Sequence, residues 1–325
     1  MPRITVLMPV YNGMPYIPEA VESVLAQDEQ DWELVISDNG STDATRAYLS
    51  TLQDPRIRIH LQQDNLGIFG NLNFLLAQAK APIVKILCQD DRLLPNALGR
   101  VADFMEERPW CAVSRCLAVG NKQHYQHDQR WQLEGELPVR INPAASWLVF
   151  ATFGNIVGNL CKAACRPQLV LAEGGFDQHF PYAGDYEGWM RVAAKHGIAL
   201  QNEELVFERS HAAQNSNLLN RNNELFPQLT KLIEMMATKV SAADLALLKR
   251  RWTIHFIAPR LPQLARQAMS GKFGLEGFGL SNLPVGISPL EVILAYPIFK
   301  LNLPPVRLTT RQLFDRILEV NEDQA

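Results

Sequence analysis

Nowhere in its 325 residues does the chain hold an apolar run that reads as a good membrane-spanning helix. The nearest stretch, residues 283–303, is broken by Pro284, Pro289, Glu291, Pro297 and Lys300, whereas a span needs about 20 predominantly apolar residues. Excess positive charge is missing too. With 31 Lys and Arg against 34 Asp and Glu the formal net charge is −3, which leaves no electrostatic case for a nucleic-acid partner. Cysteine is sparse: Cys88, Cys111, Cys116, Cys161 and Cys165 include no C-x-x-C pair of the zinc or redox type, so buried thiols in a reducing compartment are expected. The opening MPRITVLMPVYNG has too short an apolar run for a signal peptide, its Tyr11 and Asn12 cutting it off. A cytoplasmic protein is expected. No dinucleotide fingerprint follows the first strand and no Walker-type loop occurs, which excludes a standard dehydrogenase or P-loop ATPase.

What is present is an ordinary globular composition, 47% hydrophobic and 20% charged, long enough for an α/β domain with an extension. Residues 4–10 (ITVLMPV), 32–36 (WELVI), 56–61 (RIRIHL) and 83–87 (IVKIL) read as strands. Between them, residues 17–27, a segment capped by Ser41 or Thr42 and running to 51, and residues 68–80 read as helices. Alternation of this kind implies βαβ units and a mostly parallel sheet flanked by helices. A helix at 97–107 and a strand-like CAVSRCLAV follow, then a polar loop in which His124 and His127 read as solvated.

The fourth strand ends in Gln89, Asp90 and Asp91. Paired carboxylates at the carboxyl end of a parallel strand sit where open α/β sheets bind ligands. They repel each other unless a cation compensates, and Mg²⁺ or Mn²⁺ suits such oxygen donors; a solvated acidic turn is the alternative. Residues 153–160 (FGNIVGNL) suit backbone passing close to a ligand, or a plain turn. Near Asp185 a helical pattern begins, with Trp189, Val192 and Ala193 on one face. Asp185 reads as an N-cap or as a general base kept ionised by the helix terminus. Glu187 points elsewhere, and His211 reads as a hydrogen-bonded loop residue.

In order, these pieces resemble the family 2 glycosyltransferases of the GT-A fold. The match covers Pro9-Val10-Tyr11-Asn12, the 37–43 turn SDNGSTD, Asn65-Leu66-Gly67 with Asn71 and Asn73, Cys88-Gln89-Asp90-Asp91, the GGFD at 174–177, and the 185–191 segment DYEGWMR. The resemblance implies an inverting, metal-dependent transferase that moves a sugar from a nucleotide-sugar, a UDP-sugar by preference, to a hydroxyl of a glycan or lipid-linked glycan in surface polysaccharide synthesis. By it, Pro9, Tyr11, Asn12 and Asp38 surround the base, and Asn39, Gly67 and Asn73 shape the nucleotide pocket. Asp90 contacts ribose, Asp91 and His211 hold Mn²⁺ or Mg²⁺, and Asp185 is the catalytic base. Three departures stand out: Cys88 for the first metal-motif carboxylate, Gly184 for the acid before the base, and Leu72 for an arginine. A sugar-phosphate nucleotidyltransferase lacks support because its glycine-rich first turn is absent. A non-catalytic nucleotide-sugar-binding protein on the same fold is the alternative those departures raise.

On this reading residues 1–216 form the catalytic domain, with 1–95 as the nucleotide half and 96–216 as the acceptor half, and 217–325 form a helical region. Helices are expected at 225–240 and, behind a Ser241 cap, at 242–257; the glycine-rich 271–279 reads as flexible. Residues 289–300 form either a cap packed on the catalytic domain or a second subunit, or an interfacial helix at the inner membrane face beside the basic cluster Lys249-Arg250-Arg251.

Overall fold

The computed structural model describes residues 1–120, 140–211, 225–258, 261–262, 283 and 286–301. The chain divides into two compact units, one of residues 1–146 and 155–222, the other of 147–154 and 223–325. His124, His127 and the 271–279 segment lie outside the described residues.

The first unit is built on a nine-stranded sheet of order β3-β2-β1-β4-β8-β6-β9-β5, with β7 paired to β9. β1 (Ile4–Val10), β2 (Trp32–Asp38), β3 (Ile57–Leu61) and β4 (Ile83–Ile86) are mutually parallel. β1, β2 and β4 are almost wholly buried, as their unbroken apolar runs require of strands covered on both faces. Helices α1 (Ile17–Leu25), α2 (Thr45–Leu49) and α3 (Gly67–Gln78) form the crossovers. Ile17, Ala20, Val21 and Val24 of α1 join Ile4, Val6 and Met8 in the core. The chain builds outward from β1 to β3, then returns to put β4 on the other side of β1. That reversal opens a crevice at the carboxyl ends of β1 and β4.

Beyond β4 come β5 (Arg92–Leu93), α4 (Ala97–Glu106), β6 (Val113–Gly120), β7 (Arg140–Ile141) and α5 (Pro143–Phe153). A 3₁₀ turn at Leu160–Lys162 leads into β8 (Ala163–Cys165), α6 (Pro167–Ala172), α7 (Gly184–His196) and β9 (Ile198–Glu208). β8 runs antiparallel to both β4 and β6, so the sheet is mixed in this half. Lys85, fully buried in β4, pins this junction: its ammonium donates to the carbonyls of Cys161 and Ala163 and lies 3.9 Å from the Cys116 sulfur.

The helix after β2 begins at Thr45, later than the expected Ser41 or Thr42 cap. The Ser41 hydroxyl instead accepts from the Asn12 N–H (2.8 Å), and the Thr42 N–H donates to the Asn12 side chain (2.8 Å). Those residues are spent joining two loops.

In the second unit, α8 (Leu225–Ala237) precedes α9 (Ala242–Trp252), whose Ser241 cap accepts from the Asp244 N–H at 3.1 Å. A π-helical turn, Thr253–Ile257, continues it, and α10 (Pro289–Leu301) packs against that turn. Trp252 and Arg251 donate to the carbonyls of Ala151 and Thr152, at 2.6 and 2.8 Å.

Candidate active site

The carboxyl ends of β1 and β2 carry the first group of residues. Pro9 and Val10 lie in register with Ser37 and Asp38. Tyr11, 46% exposed, leaves β1 at its end. Its backbone N–H and C=O pair with the Gln89 amide at 2.8 and 3.0 Å, tying the end of β1 to the turn after β4. Asp38 is fully buried: one oxygen accepts from Arg46 Nε (2.6 Å) and the Ser41 N–H (3.2 Å). The other oxygen, Oδ1, is buried with no hydrogen-bond partner, an exception that calls for a ligand donor. Asn39 reaches Asn65, the Leu66 N–H and the Gly67 carbonyl, so it orders the loop before α3. Gly67 has φ +72°, and nothing lies within 4 Å of where a Cβ would project, an open edge of backbone beside the crevice. Asn73 spends both ends of its amide on the backbone of Phe176, each at 2.8 Å.

The turn after β4 gathers the Cys88 sulfur and one oxygen each of Asp90 and Asp91 within 4.8 Å of one another. Asp91 is 3% exposed. Burial, and next the charge of Asp90, hold its carboxyl well above the usual carboxylate range, the strain a cation relieves. Two carboxylates with a thiol can hold Mn²⁺, and the carboxylates alone suit Mg²⁺; the donor set therefore fits a divalent ion. The neighbours of this pair come from the end of β9. The Arg209 N–H donates to Asp91 Oδ1 (2.9 Å) and its Nε to the Asp90 carbonyl (3.0 Å), while a terminal nitrogen meets Glu19 at 2.7 Å. His211 Nε2 lies 2.9 Å from Asp90 Oδ2, with its ring 4.6 Å from that of Tyr16.

Asp185 occupies the first turn of α7. Its Oδ1 accepts the Tyr186 N–H (2.8 Å) and its Oδ2 the Asn155 amide (2.9 Å). Burial raises its carboxyl to about 6, against the lowering effect of those donors. It is ionised at neutral pH and close enough to neutrality to accept a proton. Glu187 is turned into the protein and paired with Arg191 at 2.7 Å, which keeps that second acid away from the site.

Sequence reasoning marks residues 153–160 as backbone close to a ligand or a plain turn, and gives Asn155 no role. Asn155 holds Asp185 at one end; at the other, the Cys161 carbonyl accepts from the buried Lys85 ammonium of β4. Six residues of chain span at most about 22 Å. A turn from Gly158 to Asn155 (3.1 Å) and the 3₁₀ turn shorten that reach. Glu208, at the end of β9, binds this segment through Asn159 and, at 3.4 Å, through the buried Lys162. The two asparagines and two glycines of 153–160 were the available signal.

Two of the three sequence departures have steric causes. A Cβ on Gly184 would fall 2.6 Å from the Phe69 ring, which stacks on Phe176. Leu72 is fully buried, a place where a guanidinium is costly unless it is paired.

Compared with known proteins, residues 5–159 match the profile described as glycosyl transferase family 2. The chain is 34% identical over 120 residues to the GalNAc(5)-diNAcBac-PP-undecaprenol beta-1,3-glucosyltransferase of Campylobacter jejuni, covering 36% of this chain and 39% of that one. Among solved structures, TarS 1–349 of S. aureus in complex with UDP-GlcNAc aligns with 100% of this chain and 92% of its own (TM-score 0.60, 15% identity). The mannosyltransferase PcManGT of Pyrobaculum calidifontis, in complex with GDP-Man and Mn²⁺, aligns with 98% of this chain and 86% of its own (TM-score 0.53, 18% identity).

Proposed function

From this chain's membership of glycosyl transferase family 2, with the GT-A fold that its sheet displays, we propose an inverting transfer from a nucleotide-sugar to a hydroxyl of a growing glycan. The observation that carries it is a pair of acidic centres: Asp90 and Asp91 gathered with Cys88 on the turn after β4, and Asp185 held at the start of α7 by Asn155.

The nucleotide base lies over the ends of β1 and β2, where the buried Oδ1 of Asp38 awaits an N–H donor and Tyr11 offers an exposed ring. Asn39 and Gly67 border that pocket, and Asn73 acts on it through the Phe176 backbone it clamps. Asp91 and Asp90 would hold Mn²⁺ or Mg²⁺, with the Cys88 sulfur a further donor to Mn²⁺. When bound, the ion supplies Lewis-acid neutralisation of the charge that develops on the leaving diphosphate. His211 orients Asp90 and Arg209 orients Asp91. Asp185 takes the proton of the acceptor hydroxyl as that oxygen attacks the anomeric carbon, a step worth about 10²–10⁴-fold. With Glu187 locked to Arg191, one carboxylate serves the reaction, as a single displacement with inversion requires. Five free thiols support work in a reducing compartment, and no described helix is long and apolar enough to cross a membrane. The acceptor is a polysaccharide or a lipid-linked glycan, as in the Campylobacter relative's name.

A panel of UDP- and GDP-sugars, each with and without Mn²⁺, is read by thermal shift and then by NMR of the transferred anomer. A donor that stabilises only with Mn²⁺ and transfers with inversion is the expected result. Retention of configuration, or stabilisation by no nucleotide-sugar, overturns the proposal.

A further inference from the structure

Helix α10 (Pro289–Leu301) carries large apolar side chains in the open. Leu290, Ile293 and Leu294 are 64%, 53% and 61% exposed, and with exposed Pro297 they fall at i, i+3, i+4 and i+7, one stripe of a helix. Isolated exposed leucines are ordinary, but a contiguous stripe marks an interaction surface. The opposite face already has its partner: Val292 and Ala295 are buried. Charge at the borders of the stripe identifies the occupant. Lys300 continues the Ile293–Pro297 edge, Arg250 is exposed at the end of α9, and the Lys249 ammonium lies 3.7 Å from where a Cβ of Gly286 would sit, just before α10. The one acid on α10, the exposed Glu291, accepts from the Ser288 N–H (2.6 Å) and hydroxyl (2.8 Å) and also feels the charge of Lys249, which leaves Lys300 and Arg250 as the cations without an acid of α10 beside them in sequence. At 13 residues the helix is about 20 Å long, too short to cross a bilayer core of about 30 Å.

We propose that the Leu290/Ile293/Leu294 face of α10 lies in the plane of an anionic membrane surface, its aliphatic side chains among the headgroups and its flanking cations against acidic lipid. An apolar stripe with basic borders is the composition of interfacial helices. The inference stands on the second unit alone and holds whether or not sugar transfer is the reaction.

The test uses the full-length chain and co-sedimentation with vesicles of phosphatidylcholine, alone or with about 30% phosphatidylglycerol. Wild type is expected to pellet with the anionic vesicles and to be released by salt. The triple variant L290N/I293N/L294N should lose about tenfold or more of that partition, with its melting temperature changed by less than about 2 °C. A second variant, R250E/K300E, should lose the preference for anionic lipid while keeping its fold. Three results overturn the proposal: wild type that ignores anionic vesicles, a triple variant that pellets as wild type does, or a triple variant that melts more than about 4 °C lower because those side chains are packed. A dimer on size exclusion that the triple substitution dissolves would assign the face to a second copy, and also overturns it. Nucleotide-sugar stabilisation, measured on the same samples, reports separately on the catalytic unit.

Discussion

Replacing Asp185 by Asn should make the protein more stable and less active, in amounts that depend on pH. Burial lifts this carboxyl from the ordinary 3.8 to about 6, so the folded state binds its proton more tightly than the unfolded chain does. For a raised acid the sign is unfavourable at high pH: stability falls as pH climbs from about 4 to about 6 and stays lower above that. At about 1.4 kcal/mol for each pH unit, the ionised carboxylate costs the fold roughly 3 kcal/mol at pH 8. An asparagine keeps an oxygen for only one of the two donors, Tyr186 N–H or the Asn155 amide, which returns about 1 kcal/mol. The net gain of about 2 kcal/mol corresponds to roughly 4–8 °C for a unit of this size. Scanning fluorimetry at pH 8 and at pH 4 measures it, the gain being present at the first and absent at the second. Turnover with saturating donor should fall about 10²-fold or more in the same variant. A variant that melts no higher than wild type at pH 8, or whose gain is the same at both pH values, refutes the account of how Asp185 is held.

Asn155→Ala removes the donor on Asp185 Oδ2, so the acid limb of kcat/KM should move upward from about pH 6 with donor KM unchanged; a stationary limb would show that Asn155 plays no part in positioning the base. Arg46→Met leaves the fully buried Asp38 with the Ser41 N–H as its remaining donor. Loss of that charged hydrogen bond should destabilise by about 1–3 kcal/mol, as urea titration would measure; an unchanged midpoint would mean that the pair contributes nothing. Gly184→Ala drives a methyl into the Phe69 ring and should cost about 1–3 kcal/mol; an unchanged melting temperature would mean that the ring swings freely.

Much of the first unit is legible in the residues themselves. β1, β2 and β4 announce themselves because strands covered on both faces must be apolar throughout, and α1 because its buried side chains recur at helical spacing. Local composition also marks the acidic turn after β4. The cap before α2 was misread because Ser41 and Thr42 have the right chemistry for capping and a better use across the loop with Asn12. Asn73 was read as a pocket residue, and its amide is committed to the Phe176 backbone, 103 residues away.

By itself, then, the order of residues determined the strand–helix alternation, the polar turns that end each strand, and the acids those turns present, because each depends on neighbours a few positions apart. Only the tertiary structure decided which of those acids are buried, which are paired, and which share a site. It sets Asn155 on Asp185 and the Arg209 N–H on Asp91, leaves one oxygen of Asp38 without a donor, and turns Glu187 away. Solvation and charge pairing are properties of surroundings assembled from distant parts of the chain, and no local pattern encodes them.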